Sequence, residues 1–445
     1  MNTDILVIGG SAAGIVAAAT AKKHYPGKKI ILVRKEEKVL IPCGIPYTMS
    51  MLNGLEYNLI PDAAVTGKGI GLIIDEVVGI DRTSKCVDLG SGDQLGYEKL
   101  VLATGSNPLV TPITGVSLNG VFTIIKDFDT ISAIKGRLEQ SQNLVIVGGG
   151  FIGIEFADEC RKRGDIRVSI VEMLDHVLAL ACDEEIYDMV ELKLKDKGVD
   201  LFTSSKVVEI IGMQKVEAVR LDNGRVLDAD MVILAGGVIP NVDLARDAGI
   251  DHDERNGVKV DEFMRTSDPD IFACGDCVEK PSFFGQAFEA ARLASIATNE
   301  GRVVGANLYE LRRTKQGSIN IFSTVVDDLV LGMAGLTSEQ AKAAGIAVVI
   351  GRAEGMDRHP GKMPGASNML VSLVFRKYDG MLIGAQIYGG VSVGELINVL
   401  GLAMQNRMTA ENLAIMQVGT HPALTASPVV YQLTNAAEDA ISKLH

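Results

Sequence analysis

The sequence predicts an α/β fold: two three-layer βαβ domains followed by a C-terminal α+β domain. Three observations carry this expectation. A short apolar strand, a glycine-rich turn and an Ala-rich helix open the chain, the same order returns from residue 143, and beyond about residue 320 it gives way to strands joined by a tight turn. A chain of 445 residues is also long enough for about three domains.

The first unit begins with Asp4–Ile8, an apolar run of the length of a buried parallel strand. Gly9-Gly-Ser-Ala-Ala-Gly14 follows, then a helix rich in Ala, then a second strand at Lys29–Val33. The repeat runs through strand Asn143–Val147, turn Gly148-Gly-Gly-Phe-Ile-Gly153, a helix from about Ile154 to Arg163 and strand Arg167–Val171. Two further strand-like runs end in Ala103-Thr104-Gly105-Ser106 and Ala235-Gly236-Gly237, each with a proline soon after, at Pro108 and Pro240. They are expected to be the exits from the two domains. In the last third, Leu370–Arg376 and Leu382–Ile387 flank a turn at Asp379-Gly380, and the chain ends in helical pattern.

Composition narrows the function. Apolar residues make up 47 % and charged residues 22 %, with 48 Gly, no Trp and 5 % aromatics, which excludes a disordered, collagenous or coiled-coil chain. The net charge of −13 argues against nucleic acid as a partner, so an anionic ligand needs a local positive site. No apolar run reaches the length of a membrane span. The opening stretch Ile5–Ala21 lacks a basic leader and is broken by Gly9, Gly10 and Gly14, so it is not a targeting segment. Six cysteines, at 43, 86, 160, 182, 274 and 277, are scattered in a pattern that suits thiols in a reducing cytoplasm.

The second glycine turn carries the full G-x-G-x-x-G pattern. Gly148 makes the tight turn, Gly150 admits a pyrophosphate close to the backbone, and Gly153 lets helix and strand pack closely. The phosphate then sits at the helix N-terminus, over Phe151 and Ile152. Glu172, at the end of the next strand, is placed to bind adenosine ribose hydroxyls and would repel a 2′-phosphate, so NADH is favoured and NADPH stays open. In the first turn, Ser11 replaces the second glycine, Ala12 and Gly14 complete it, and Arg34 stands at the strand end where an acid is expected.

The order of Gly9–Gly14, Ala103-Thr104-Gly105-Ser106, the second fingerprint and Phe272-Ala-Cys-Gly-Asp276 resembles the FAD-dependent pyridine nucleotide-disulfide oxidoreductases over nearly the whole chain. The resemblance implies two Rossmann-like domains and a C-terminal dimerisation domain, hence a homodimer. FAD would lie on the first turn, with Asp276 on its ribityl chain, and NADH on the second. It also implies an FAD domain split into 1–110 and 242–322, an NAD domain at 111–241 and a dimerisation domain at 323–445. Arg34 takes the place of the family glutamate, with Glu36 as a substitute for the ribose contact. Gly236 falls in the exit of the NAD domain.

Leu40-Ile-Pro-Cys43-Gly-Ile-Pro-Tyr47 is the most informative stretch. Pro42 favours an extended Ile41, and Cys43 is expected at the start of a helix, where a thiol is more readily a thiolate and a nucleophile toward disulfides. Two-cysteine members of the family have a second Cys five residues on, where this chain has Thr48. The chain therefore resembles the single-cysteine branch: CoA-disulfide reductases, NAD(P)H polysulfide or persulfide reductases, NADH oxidases and peroxidases. The oxidases and peroxidases carry a His in the first glycine turn, and here the turn reads Ser11-Ala12-Ala13. That favours electron transfer from NADH through FAD to a small disulfide, persulfide or polysulfide, CoA disulfide among them, at Cys43. The alternative is an NADH oxidase or peroxidase using a Cys43 sulfenic acid; a third reading is an NADH-responsive redox sensor.

Thr420-His421-Pro422 resembles the His-Pro that reaches into the other subunit's active site as an acid/base, although the family Glu that orients it falls at Ala426. His359 and His421 stand about where CoA-disulfide reductases have Tyr. Lys22, Lys23, Arg34, Lys35 and Lys38 form a basic cluster that could hold a CoA phosphate or simply be solvated. Cys274 and Cys277 flank the Gly275-Asp276 motif and have no His near them in sequence, so no metal site is expected.

Overall fold

The computed structural model describes residues 1–285 and 291–444, which divide into two compact units. Unit one comprises Met1–Thr111, Phe122–Gln140 and Gly236–Ser318; unit two comprises Pro112–Val121, Ser141–Ala235 and Ile319–His445.

In unit one, Asn2–Ile8 lies between Ile30–Arg34 and Gln94–Leu102, parallel to both, and Gly71–Ile74 extends the sheet beyond Ile30–Arg34. The central stretches Ile5–Ile8, Ile30–Val33 and Leu100–Leu102 are apolar because both faces are covered there, and all of their residues are buried. A late segment joins this early sheet: Ile271–Ala273 pairs in parallel with Leu100–Leu102. Chain separated by some 170 residues in sequence thus ends at the same edge, and Asp276 emerges beside the first glycine turn. The two expected exits pair with each other, Val238–Pro240 running antiparallel to Ser106–Pro108.

The helix Ala12–His24 packs against Ala294–Asn307 through small residues. A Cβ at Gly301 would lie 2.6 Å from the Ala13 carbonyl oxygen, and one at Gly305 would lie 2.5 Å from that of Ala17, so the backbones touch. Gly305→Ala is therefore expected to destabilise unit one by roughly 1–3 kcal/mol through overpacking. Thermal unfolding of the variant checks this; an unchanged midpoint would mean that the helices part without cost.

Unit two holds a parallel run ordered Met231–Leu234, Asn143–Val147, Arg167–Val171 and Val199–Phe202. The helix Phe151–Arg161 starts directly after Gly150, three residues earlier than the apolar pattern suggested, because the glycine turn itself supplies the N-cap. An antiparallel sheet follows in the order Ile321–Val326, Leu329–Gly335, Leu382–Gly389, Asn368–Arg376 and Val348–Met356. Helices Val393–Gln405 and Gln432–Leu444 pack on it, and Gly351 lets the second approach so closely that a Cβ would fall 1.9 Å from the Ala436 carbonyl oxygen. The Rossmann-like sheets and the C-terminal α+β domain are those the sequence predicted. None of the described helices is long and apolar enough to cross a membrane.

Candidate functional site

Cys43 sits in unit one with an exposed thiol. No α-helix starts there: the loop forms two successive 3-10 turns, Pro42–Gly44 and Pro46–Met49. The reason is the spacing of the two prolines. Pro46 has no N–H to donate to the Pro42 carbonyl four residues back, so Ile45 bonds that oxygen at 3.3 Å and Thr48 bonds Ile45 at 3.1 Å. No α-helix dipole therefore acts at Cys43, whose side chain is exposed. The loop is held from beneath by buried Asn58, whose backbone oxygen accepts from Ile41 N–H at 2.8 Å and whose Nδ2 donates to the Ile41 carbonyl at 3.0 Å. Gly44 rests on the Asn58 amide, where a Cβ would fall 1.9 Å from Oδ1. Thr48 is fully buried and donates its hydroxyl to Ile45 at 2.7 Å, while Lys135 Nζ donates to the Thr48 carbonyl at 2.7 Å.

The first glycine turn is built for close approach. Gly9 has φ +113, and a Cβ on Gly14 would lie 2.0 Å from the Gly9 carbonyl oxygen. Ser11 caps the helix Ala12–His24 without a side-chain bond, and no acid lies in the first turn, which leaves its N–H groups for an anion. Ala103 is nearly buried against this turn; Thr104 donates its hydroxyl to the Asn241 carbonyl at 2.8 Å, and Gly105 has φ +75 with open space around it. Asp276 accepts from the Ser106 hydroxyl at 2.9 Å and from Lys126 Nζ at 3.2 Å. Arg292 adds an independent sign of a ligand: its Nε and Nη1 are buried with no hydrogen-bond partner among the described residues. Burial pulls its guanidinium down, and the negative Asp276 opposes that shift. Glycine cradle, uncapped helix and orphaned donors together fit a dinucleotide.

Arg34 is turned inward. Only 3 % exposed, it pairs with Asp62 at 2.6 Å and donates to the carbonyls of Glu36 and Glu37, with Gly10 packed on its stem. Its guanidinium is thus taken up by the protein. Glu36 is half-buried beside it.

In unit two, Gly148 has φ +114 and a Cβ on Gly153 would fall 2.1 Å from the Gly148 carbonyl oxygen, whereas one on Gly150 would meet nothing within 4 Å. Gly150 caps the helix beginning Phe151-Ile152, with no acid in its first turn. Glu172 accepts from Gly149 N–H at 2.6 Å through Oε2 and from Leu174 N–H at 2.8 Å through Oε1. The carboxylate is locked against the glycine turn, with lone pairs to spare for hydroxyls. Sequence reading missed Glu155, one turn into this helix. Burial pushes its carboxyl up to about 7 against the lowering effect of the Thr324 hydroxyl, which donates to it at 2.7 Å. An acid within the apolar first half of the helix, Phe151-Ile-Gly-Ile-Glu155-Phe-Ala157, was the available signal. A Cβ on Gly236, in unit one, would lie 3.9 Å from both the Leu109 carbonyl oxygen and the Thr111 hydroxyl oxygen.

His421 is exposed in unit two. Its Nδ1 accepts from Ala423 N–H at 3.2 Å, which assigns the proton of the neutral ring to Nε2. His359 is tied to the same loop: its Nδ1 donates to the Thr425 carbonyl at 3.0 Å, and its N–H to Pro422 at 3.2 Å. Part of the basic cluster is engaged within the protein, Lys22 with two carbonyls, Lys35 with Glu76 and Lys38 over the Phe128 ring. Cys274 and Cys277 are buried, and burial pushes both thiols up, which disfavours a second thiolate pair. Among the described residues no group of three or more His, Cys, Asp or Glu could hold a metal ion.

Comparison with known proteins adds independent findings. The family description "Pyridine nucleotide-disulphide oxidoreductase" matches residues 3–301, and the dimerisation domain of the same family matches 321–430. The chain is 34 % identical to NADH oxidase of Methanocaldococcus jannaschii, over 99 % of both chains. It is 31 % identical to the NAD(P)H coenzyme A polysulfide/persulfide reductase of Pyrococcus horikoshii, over 87 % of this chain and 88 % of that one. The structure of a NAD-dependent persulfide reductase from A. fulgidus superposes with a TM-score of 0.91 at 32 % identity, covering 100 % of this chain and 83 % of the other.

Proposed function

Because the chain belongs to the pyridine nucleotide-disulphide oxidoreductase family, we propose that it is an FAD-dependent enzyme carrying electrons from NADH to a disulfide, persulfide or polysulfide held at Cys43. The observation that carries this reading is the loop itself: an exposed Cys43 with Thr48, buried and bonded within the loop, where a partner cysteine would have to stand. With Thr48 in the place of a second cysteine, the sulfur at Cys43 takes its second sulfur from the substrate.

In the reaction, the Cys43 thiolate attacks one sulfur of the substrate, a Cys43 S–S bond forms, the substrate S–S bond breaks, and one thiolate leaves. A proton donor neutralises that leaving group, and His421 of the partner subunit, as Nε2–H, has the chemistry for it. Two electrons originating from NADH and one proton then release the second thiol and restore the Cys43 thiolate. Bound FAD supplies the two-electron relay between nicotinamide and sulfur. The chain's own contribution is to hold it: Gly9, Ser11, Ala12 and Gly14 for the pyrophosphate, Ala103, Thr104 and Gly105 alongside, and Asp276 for the ribityl hydroxyls. Gly148, Gly150, Phe151, Ile152, Gly153, Glu172 and Gly236 do the corresponding work for NADH. The active form is read as a homodimer in a reducing cytoplasm, with the FAD domain split around the NAD domain in sequence.

A second reading, an NADH oxidase or peroxidase cycling Cys43 through sulfenic acid, is favoured by the likeness to the M. jannaschii oxidase. Anaerobic reduction by NADH, followed by mixing with CoA disulfide, polysulfide, peroxide or oxygen, separates the two. The sulfur acceptors should reoxidise the enzyme fastest; faster reoxidation by oxygen or peroxide overturns the first reading.

Glu172→Ala removes two charge-assisted bonds that brace the second glycine turn. It is expected to raise the KM for NADH by roughly tenfold, on the order of 1.5 kcal/mol, and to narrow the preference over NADPH. Steady-state rates with both nucleotides check this, and equal wild-type rates with the two would show that Glu172 does not select.

A further inference from the structure

Beneath the Gly275-Asp276 turn lies a buried charge cluster that the mechanism above does not use. Glu300 is fully buried and Lys280 is 1 % exposed, and they pair at 3.1 Å. No other ion pair among the described residues has both side chains so deep. Lys315, itself 8 % exposed, binds the other oxygen of Glu300 and donates to the Ser318 hydroxyl at 2.9 Å. Burying such charges costs several kcal/mol per ion unless each is paired and hydrogen-bonded, so the arrangement calls for a reason.

Its bonds give one. Glu300 Oε2 accepts from the Gly275 N–H at 2.8 Å, and Lys280 Nζ donates to the Gly275 carbonyl at 2.6 Å. Both polar backbone atoms of the residue preceding Asp276 are therefore gripped by opposite ends of one ion pair. Gly275 is held at φ +83, a conformation that suits glycine, with Ala13 of the first helix so close that a Cβ would lie 2.7 Å from it. Lys280 also donates to the Val278 carbonyl at 2.9 Å, so the grip extends across the turn. Two lysines face one carboxylate: burial and the neighbouring Lys280 pull the Lys315 ammonium down while Glu300 holds it up, and with Lys315 protonated on the Glu300 carboxylate the cluster leaves net positive charge under the strand end from which Asp276 projects.

We infer that Glu300, Lys280 and Lys315 are positioning residues for the flavin: the ion pair sets the direction of Asp276 toward the cofactor, and the excess positive charge favours the reduced, anionic flavin. This rests on the reading that FAD binds at the first glycine turn and Asp276. Through a low-dielectric interior, removing one charge acts over a longer range than a lost contact. The cluster should therefore separate two effects that a purely structural support would join.

The test uses the full-length protein with its flavin. Glu300→Gln, Lys280→Met and Lys315→Met are compared for FAD dissociation and for flavin midpoint potential by reductive titration against a dye. Glu300→Gln and Lys280→Met are each expected to weaken FAD binding by roughly tenfold, because each loosens Gly275. The potential should move up in Glu300→Gln, which removes negative charge, and down in both lysine variants. The double variant Glu300→Gln/Lys280→Met, with its charge balance restored, should return toward the wild-type potential while FAD remains weakly held. Potentials that do not move, or that move in one direction in all variants, overturn the inference. If Glu300→Gln does not fold, the two lysine variants still decide, since both must lower the potential. Wild-type protein that carries no flavin, read from absorbance after heat release, would refute the proposed function instead.

Discussion

Cys43→Ser is expected to lower turnover of every sulfur acceptor by roughly a thousandfold or more, while NADH still bleaches the flavin absorbance at the wild-type rate. The split follows from the separation of tasks. Serine keeps the size of the side chain in an exposed position, so the loop, with its Asn58 clamp and buried Thr48, should be undisturbed. What is lost is a nucleophile that can be a thiolate near neutral pH and can hold a second sulfur. Single-turnover measurements check both halves. Retained sulfur reduction would mean that the acceptor meets the flavin directly, and slowed reduction by NADH would mean that Cys43 supports the flavin rather than the substrate. With the two 3-10 turns in place of an α-helix, a depressed thiol pKa cannot be credited to a helix dipole.

The second large effect lies in the second glycine turn, where two glycines three residues apart should behave oppositely. Gly153→Ala places a Cβ 2.1 Å from the Gly148 carbonyl oxygen, inside backbone that cannot yield without reshaping the turn. A loss of about 2–3 kcal/mol in stability is expected, visible as a lower unfolding midpoint. Gly150→Ala meets no atom within 4 Å and keeps an ordinary extended backbone at φ −70, so stability should hold within about 0.5 kcal/mol. Its methyl group instead enters the space a pyrophosphate needs at the helix N-terminus, and the KM for NADH should rise by at least about tenfold, ~1.4 kcal/mol. Calorimetry and nucleotide titration of the two variants check the contrast. Wild-type NADH affinity in Gly150→Ala would remove the phosphate from this turn.

Local chemistry made much of this protein legible in advance. Each strand–glycine–helix unit is contiguous, its strands end in apolar runs because both faces are covered there, and its glycines answer to steric demands made within a few residues, so the packing role of Gly153 followed from spacing alone. Cys43 stood out for the same reason, since Pro42, Gly44 and Pro46 constrain it locally. The conformation of that loop did not follow, because the missing N–H of Pro46 had to be weighed against a helix start that the same proline also suggests. Arg34 shows a second limit. It stands at a strand end where the family has a glutamate, which turns the ribose contact over to Glu36; that Asp62 and two carbonyls draw Arg34 inward did not follow, because only the folded chain brings Asp62 there.

By itself, then, the sequence determined the α/β class and the two glycine turns and singled out Cys43 as the candidate nucleophile, all of which depend on neighbours a few residues away. The tertiary structure decided what depends on neighbours far along the chain: Ile271–Ala273 joining the first sheet, Glu300 reaching the Gly275 N–H, and Thr324 beside Glu155. Burial and long-range pairing set the direction and charge of these polar groups, and no short stretch of sequence encodes which distant segment will bury them.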